Sequence, residues 1–86
     1  MRKVSPDWKL VHELLETGWD RSDLVKGDNL LEDKRRLASV LLALSGYSIW
    51  ATVNVPDYEE FTWRENKLRE QVKDWFADLC LAEMCS

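Results

Sequence analysis

One histidine, two cysteines and three glycines are all that this 86-residue chain has of the residue types from which metal centres, redox sites and phosphate-cradling loops are usually built. Each scarcity argues against a class of chemistry. His12 has Glu16 one turn away on a predicted helix, which is half of a metal site or a general base with its orienting acid, yet no second histidine completes either arrangement. It reads as an ordinary helix-surface histidine. Cys80 and Cys85 lie five residues apart on a predicted terminal helix, a spacing that puts them on different faces, so free thiols are expected rather than a bridge. The carboxyl end of a helix also opposes a thiolate, which argues against a cysteine nucleophile. Gly18, Gly27 and Gly46 are too widely spaced for a phosphate loop, and each reads as a helix stop. No catalytic, cofactor-binding or metal-binding residue is assigned on this basis, and no enzyme is expected.

An excess of positive charge is lacking too. Twelve basic against sixteen acidic side chains leave a net charge of -4, which gives no long-range attraction to nucleic acid or anionic lipid. Acids and bases alternate, so no acidic block mimics a DNA backbone. The cluster Lys34, Arg35, Arg36 follows a short turn in loose helix-turn-helix order, but Asp28, Glu32 and Asp33 adjoin it, and a solvated face is the expected role. The lack of a disulfide framework and of a secretory signal points to a reducing interior, with the cytoplasm as the expected location. Between Leu37 and Val55 no residue is charged, and the basic and acidic flanks would suit a membrane pass. Ser39, Ser45, Gly46, Ser48, Thr52 and Asn54 match lipid poorly, so a soluble reading is preferred.

What is present is a globular composition, 45% hydrophobic and 33% charged, sufficient for a single domain over residues 1–86 with one modest core. The pattern predicts a mainly α fold, a small bundle of three main helices at about 6–17, 29–45 and 58–84 with a short helical turn near 20–26. Ser5 as cap and Pro6 at the first position start the first helix, whose apolar side carries Leu10, Val11, Leu14 and Leu15. Leu30, Leu37, Leu41 and Leu44 form the central stripe of the second. Leu68, Val72, Trp75, Leu79 and Ala82, with Phe76 beside them, form that of the third, for which two capping-box starts are open, Asp57 with Glu60 or Thr62 with Glu65. At Gly46 the period changes. A continued helix would put Ser48 and Thr52 on the axis of the apolar stripe, whereas as a strand Tyr47, Ile49, Ala51, Val53 and Val55 alternate with Ser48, Trp50, Thr52 and Asn54. A single extended strand over 47–55 fits better, and being alone it must pair with another chain, stay wet or prove helical.

Five tryptophans are more than a core of this size readily encloses, and exposed aromatics anchor interfaces. The candidate partner-binding residues are therefore Trp63 with Leu81 and Met84 on the outer side of the last helix, Trp50 on the outer side of the strand, and Trp19 in the connecting loop. The expected function is a non-catalytic protein-protein interaction module, a small regulator or inhibitor that docks on a larger assembly. Its size and tryptophan content suit an accessory protein of a phage or mobile element, an analogy of composition carried by no motif. Two alternatives stand beside it: a self-associating structural protein, homodimeric through 47–55 or through apolar helix faces, and a helix-turn-helix-like DNA-binding regulator using Lys34 to Arg36.

Overall fold

The computed structural model describes residues 5–85 of the chain, without the side chain of Cys85. It bears out the mainly α class: three helices, α1 (Trp8–Thr17), α2 (Leu30–Asn54) and α3 (Thr62–Cys85), are joined by two short 3-10 turns, Arg21–Asp23 and Tyr58–Phe61, and no strand occurs among the described residues.

Helix α1 starts two residues later than predicted, because Asp7 rather than Ser5 is its cap. The Asp7 carboxylate accepts the Leu10 N–H at 3.0 Å, whereas the Ser5 carbonyl accepts the Ser39 hydroxyl at 2.6 Å and ties the incoming chain to α2. Gly18 ends α1 at φ 94, a backbone conformation that side chains disfavour. The turn predicted near 20–26 contracts to Arg21–Asp23, closed by the Asp20 N–H donating to the Asp23 carboxylate at 2.7 Å.

Helix α2 overturns the strand predicted over 47–55 and extends the helix predicted to stop at 45. It runs unbroken from its cap Asn29, which accepts the Glu32 N–H at 3.1 Å, to Asn54. Two physical terms decide this. A lone strand leaves its backbone groups unpaired, while the helix satisfies them internally. Of the two residues whose place on the apolar stripe disfavoured a helix, Ser48 and Thr52, the second bonds its hydroxyl to the Ser48 carbonyl at 2.6 Å, and Ser45 and the Asn54 amide bond likewise to the Leu42 and Trp50 carbonyls at 2.6 and 2.8 Å. Gly46 is consequently no stop. It lies inside the helix beneath the Trp8 indole, where a β-carbon would stand 3.7 Å from Nε1. The helix ends where Val55 turns extended before Pro56. Asp57 adopts a left-handed conformation, φ 58, and of the two starts open to the third helix the one at Asp57 begins only a 3-10 turn, Tyr58–Phe61, while the α-helix begins at the other, Thr62.

Helices α2 and α3 are antiparallel, since Lys34 pairs with Glu83 and the Leu44 carbonyl accepts from Arg69. Helix α1 and the loop after it cover one side of this hairpin. The core combines Val11, Leu14 and Leu15 of α1, Leu37, Val40, Leu44, Tyr47 and Ala51 of α2, and Leu68, Val72 and Leu79 of α3. Leu24 enters from the loop, which is anchored by buried Asp33. That carboxylate accepts the Lys26 and Gly27 N–H groups at 2.9 and 3.0 Å and Arg36 at 2.8 Å. The Lys26 N–H above all holds the Asp33 carboxyl below the usual range, assisted by Gly27 and Arg36 and opposed by burial. Trp75, placed on the central stripe of the third helix, packs against the core only partly buried, with Phe76 beside it, and Leu30 and Ala82, also placed on central stripes, are exposed.

The molecule measures 45 by 26 by 17 Å. Its thin dimension holds two layers of helices, each about 10 Å across. A residue of α2 directed away from both neighbours therefore has nothing above it.

Candidate interaction surfaces

Three places on the fold bring functional side chains together. The first is a cleft of about 340 Å³ where the carboxyl end of α1 meets the start of α3, lined by Glu16, Gly18, Trp19, Trp63, Arg64 and Lys67. The turn at Gly18 swings Trp19 back onto α3, where its Nε1 donates to the Gln71 side-chain oxygen at 2.6 Å. Arg64 donates to the Leu15 carbonyl at 2.9 Å and so caps the last turn of α1, fixing the two walls relative to each other. Trp63 remains 69% exposed, with the Lys67 ammonium 5.2 Å from its ring centroid.

Two of the five predicted contact residues, Trp19 and Trp63, thus share one site. Leu81 and Met84 are exposed on α3 as expected, but they lie about 27 and 31 Å further along it at 1.5 Å per residue. Exposed Lys67, Glu70 and Asp74 intervene, so no continuous patch joins them to Trp63. Trp50 is displaced by the helix that replaces the strand. Its ring packs against Tyr47 and His12, at centroid distances of 5.6 and 5.9 Å, instead of facing outward.

The second place is a polar chain beneath this aromatic group. His12 is half-buried rather than a plain surface residue, with Nε2 2.9 Å from the Glu16 carboxylate and Nδ1 3.1 Å from the Tyr47 hydroxyl. A neutral imidazole that donates from Nε2 to Glu16 accepts the Tyr47 proton at Nδ1. The order acid, imidazole, hydroxyl has the form of a relay, but Tyr47 is fully enclosed and burial, with a smaller push from Glu65, raises its hydroxyl to about 12. Its hydroxyl stays protonated, and the contact satisfies a buried polar group. Close by, Tyr58 donates at 2.9 Å to buried Glu65, whose other oxygen lies 3.6 Å from Arg69. Burial first, and then this bond, raises the Tyr58 hydroxyl above its ordinary value. Among the described residues, no three metal-ligating side chains converge.

The third place is one that reading the sequence missed. On the side of α2 that neither α1 nor α3 covers, Leu42, Ile49 and Val53 are 45, 78 and 82% exposed. Period-two counting grouped Ile49 and Val53 with Tyr47, Ala51 and Val55. Helical counting separates them, and the absence of charge from Leu37 to Val55 was the available signal. By length and composition α2 could cross a membrane, with a mean hydropathy of 1.4 over its most apolar window, of which 33% is buried here. No family model, curated protein or solved structure matches the chain.

The basic cluster is engaged within the molecule. Lys34 pairs with Glu83 at 2.6 Å, Arg35 with Glu32 at 3.3 Å and Arg36 with Asp33 at 2.8 Å, and Arg36 also donates to the Leu24 carbonyl. Arg36 therefore tethers the loop before α2.

Proposed function

We propose that this protein is a non-catalytic interaction module, a small regulator or inhibitor that docks on a larger protein through the Trp19–Trp63 cleft, with the cytoplasm as its setting. The observation that carries this reading is the exposed Trp63 indole standing at the rim of a cleft whose opposite wall holds a second, hydrogen-bonded tryptophan. A large flat ring beside a recess accepts an apolar side chain of a partner. Glu16 and Lys67 at the rim offer both signs of charge, the usual frame of a binding hot spot.

Trp63 touches little of the core, so Trp63→Ala should leave the fold intact within about 0.5 kcal/mol. Proteins of the native host retained on the immobilised chain should then be lost on the Trp63→Ala chain, with affinity weakened at least about tenfold, the size of a hot-spot residue. They should be kept on Met84→Ser. Equal retention by Trp63→Ala, with the fold verified by circular dichroism, overturns the reading.

A further inference from the structure

The outer stripe of α2 has a period of its own, independent of the cleft. Arg35, Ala38, Leu42, Ser45, Ile49 and Thr52 follow one another at alternating steps of three and four residues. That is the 3.5-residue repeat of a helix seam packed along another helix. Size alternates with it: Leu42 and Ile49 are large, and Ala38, Ser45 and Thr52 between and beyond them are small. The seam runs about 26 Å along α2 at 1.5 Å per residue.

We propose that this face is occupied by a second copy of the chain, with the two α2 helices antiparallel about a two-fold axis passing between Ala43 and Leu44. Leu42 then packs over the partner's Ser45, Ile49 over the partner's Ala38, and Arg35 beside the partner's Thr52. Two-fold symmetry makes every contact twice, so each of six layers sets a large residue against a small one. A parallel pair would instead stack Ile49 on Ile49, Ser45 on Ser45 and Arg35 on Arg35.

Charge selects the same arrangement. The layers between Ala38 and Ile49 contain no charged residue, so closing them strands none. Arg35, held among the described residues by a contact of 3.3 Å to Glu32, comes to the carboxyl end of the partner's α2. There the last carbonyls carry the negative end of the dipole, and Asp57, Glu59 and Glu60 follow with no base among them. Trp8, partly exposed over Gly46, borders the seam and widens the covered area. The dimer leaves both Trp19–Trp63 clefts open on the other side of the fold and makes the module bivalent.

Analytical ultracentrifugation over about a hundredfold range of concentration, with cysteine cross-linking, tests the arrangement. The chain should sediment as a dimer that dissociates in Ile49→Glu, at least about a hundredfold in dimer dissociation constant, while Trp63→Ala leaves it unchanged. In a background with Cys80→Ser and Cys85→Ser, chains bearing Ala38→Cys should bridge to chains bearing Ile49→Cys on oxidation, and neither should bridge to itself. In the antiparallel pair two residues at position 49 are about 16 Å apart along the axis, beyond the reach of a disulfide. A strict monomer, self-bridging of Ile49→Cys, or a dimer indifferent to Ile49→Glu overturns the proposal. So does wild-type chain that stays monomeric and instead co-sediments with phosphatidylcholine–phosphatidylglycerol vesicles through Ile49. The cross-link remains decisive if the glutamate variant fails to fold.

Discussion

The two sides of α2 are nearly equal in hydrophobicity and opposite in fate. On the inner side Leu37, Val40, Leu44, Tyr47 and Ala51 are enclosed by α1 and α3, and on the outer side Leu42, Ile49 and Val53 face solvent. Hydrophobicity places a residue only where another layer exists to receive it, and this chain builds two layers. The sides also differ in their polar groups. Those inside have specific partners: Asp33 with two backbone N–H groups and Arg36, and the Tyr47 hydroxyl with His12. Outside, Ser45 and Thr52 turn their hydroxyls onto α2's own carbonyls, so the outer face needs nothing from the rest of the chain and is free to meet a second molecule.

The sharpest way to break this contrast is to make the same change on both sides. Leu44→Ala removes an enclosed side chain next to Arg69 and should cost about 2–5 kcal/mol in urea unfolding, the range for a core leucine. Leu42→Ala, two residues away, should cost less than about 1 kcal/mol when both are made in an Ile49→Glu chain, where association does not contribute. Equal losses would mean that the outer side is packed within the monomer and that the comparison fails.

A smaller effect sharpens the inner side's dependence on satisfied polar groups. Asp33→Asn replaces one acceptor oxygen by an amide that confronts backbone N–H donors, and it should destabilise the fold by about 1–3 kcal/mol at neutral pH. Because the folded state holds the Asp33 carboxyl below its usual range, that contribution is present above the unfolded value near pH ~3.9. It is lost as pH falls through the lower folded value. Stability curves of the two chains should therefore converge in acid, and a constant gap down to pH ~2 would show that the carboxylate is not the stabilising species.

How legible all this was from sequence depends on which side of α2 is considered. Leu37 and Leu44, Leu68 and Val72, and the apolar run of α1 announce themselves because their spacing matches the helical period and nothing polar interrupts it. The segment from Gly46 to Val55 misleads. Ser48, Thr52 and Asn54 alternate there with apolar residues, and the capacity of Thr52 and Asn54 to bond backward to the helix is a local geometric fact that periodicity does not encode. That one error moved Trp50 outward and hid Ile49 and Val53. Trp19 and Trp63 were legible as candidates from tryptophan excess alone. Their meeting in one cleft depends on the turn at Gly18 and on Arg64 capping α1, contacts between residues 49 apart in the case of Leu15 and Arg64.

Gly46 lies on the border between the two sides, and the smallest predicted effect concerns it. A glycine inside a helix is usually a concession to close packing, and here the Trp8 indole stands directly over it. The space is nevertheless sufficient: an added β-carbon would meet Nε1 at 3.7 Å and Cζ2 at 3.9 Å, ordinary van der Waals distances, and the backbone is helical. Gly46→Ala should therefore stabilise the chain, by about 0.5–1 kcal/mol, through the lower conformational entropy of the unfolded state and the better helix propensity of alanine. Thermal unfolding should show a rise of a few degrees, on the scale of about 4–8 °C per kcal/mol for a domain of this size. A loss of stability would instead show that Trp8 sits closer to α2 than a methyl group permits, and that the border belongs to the packed side.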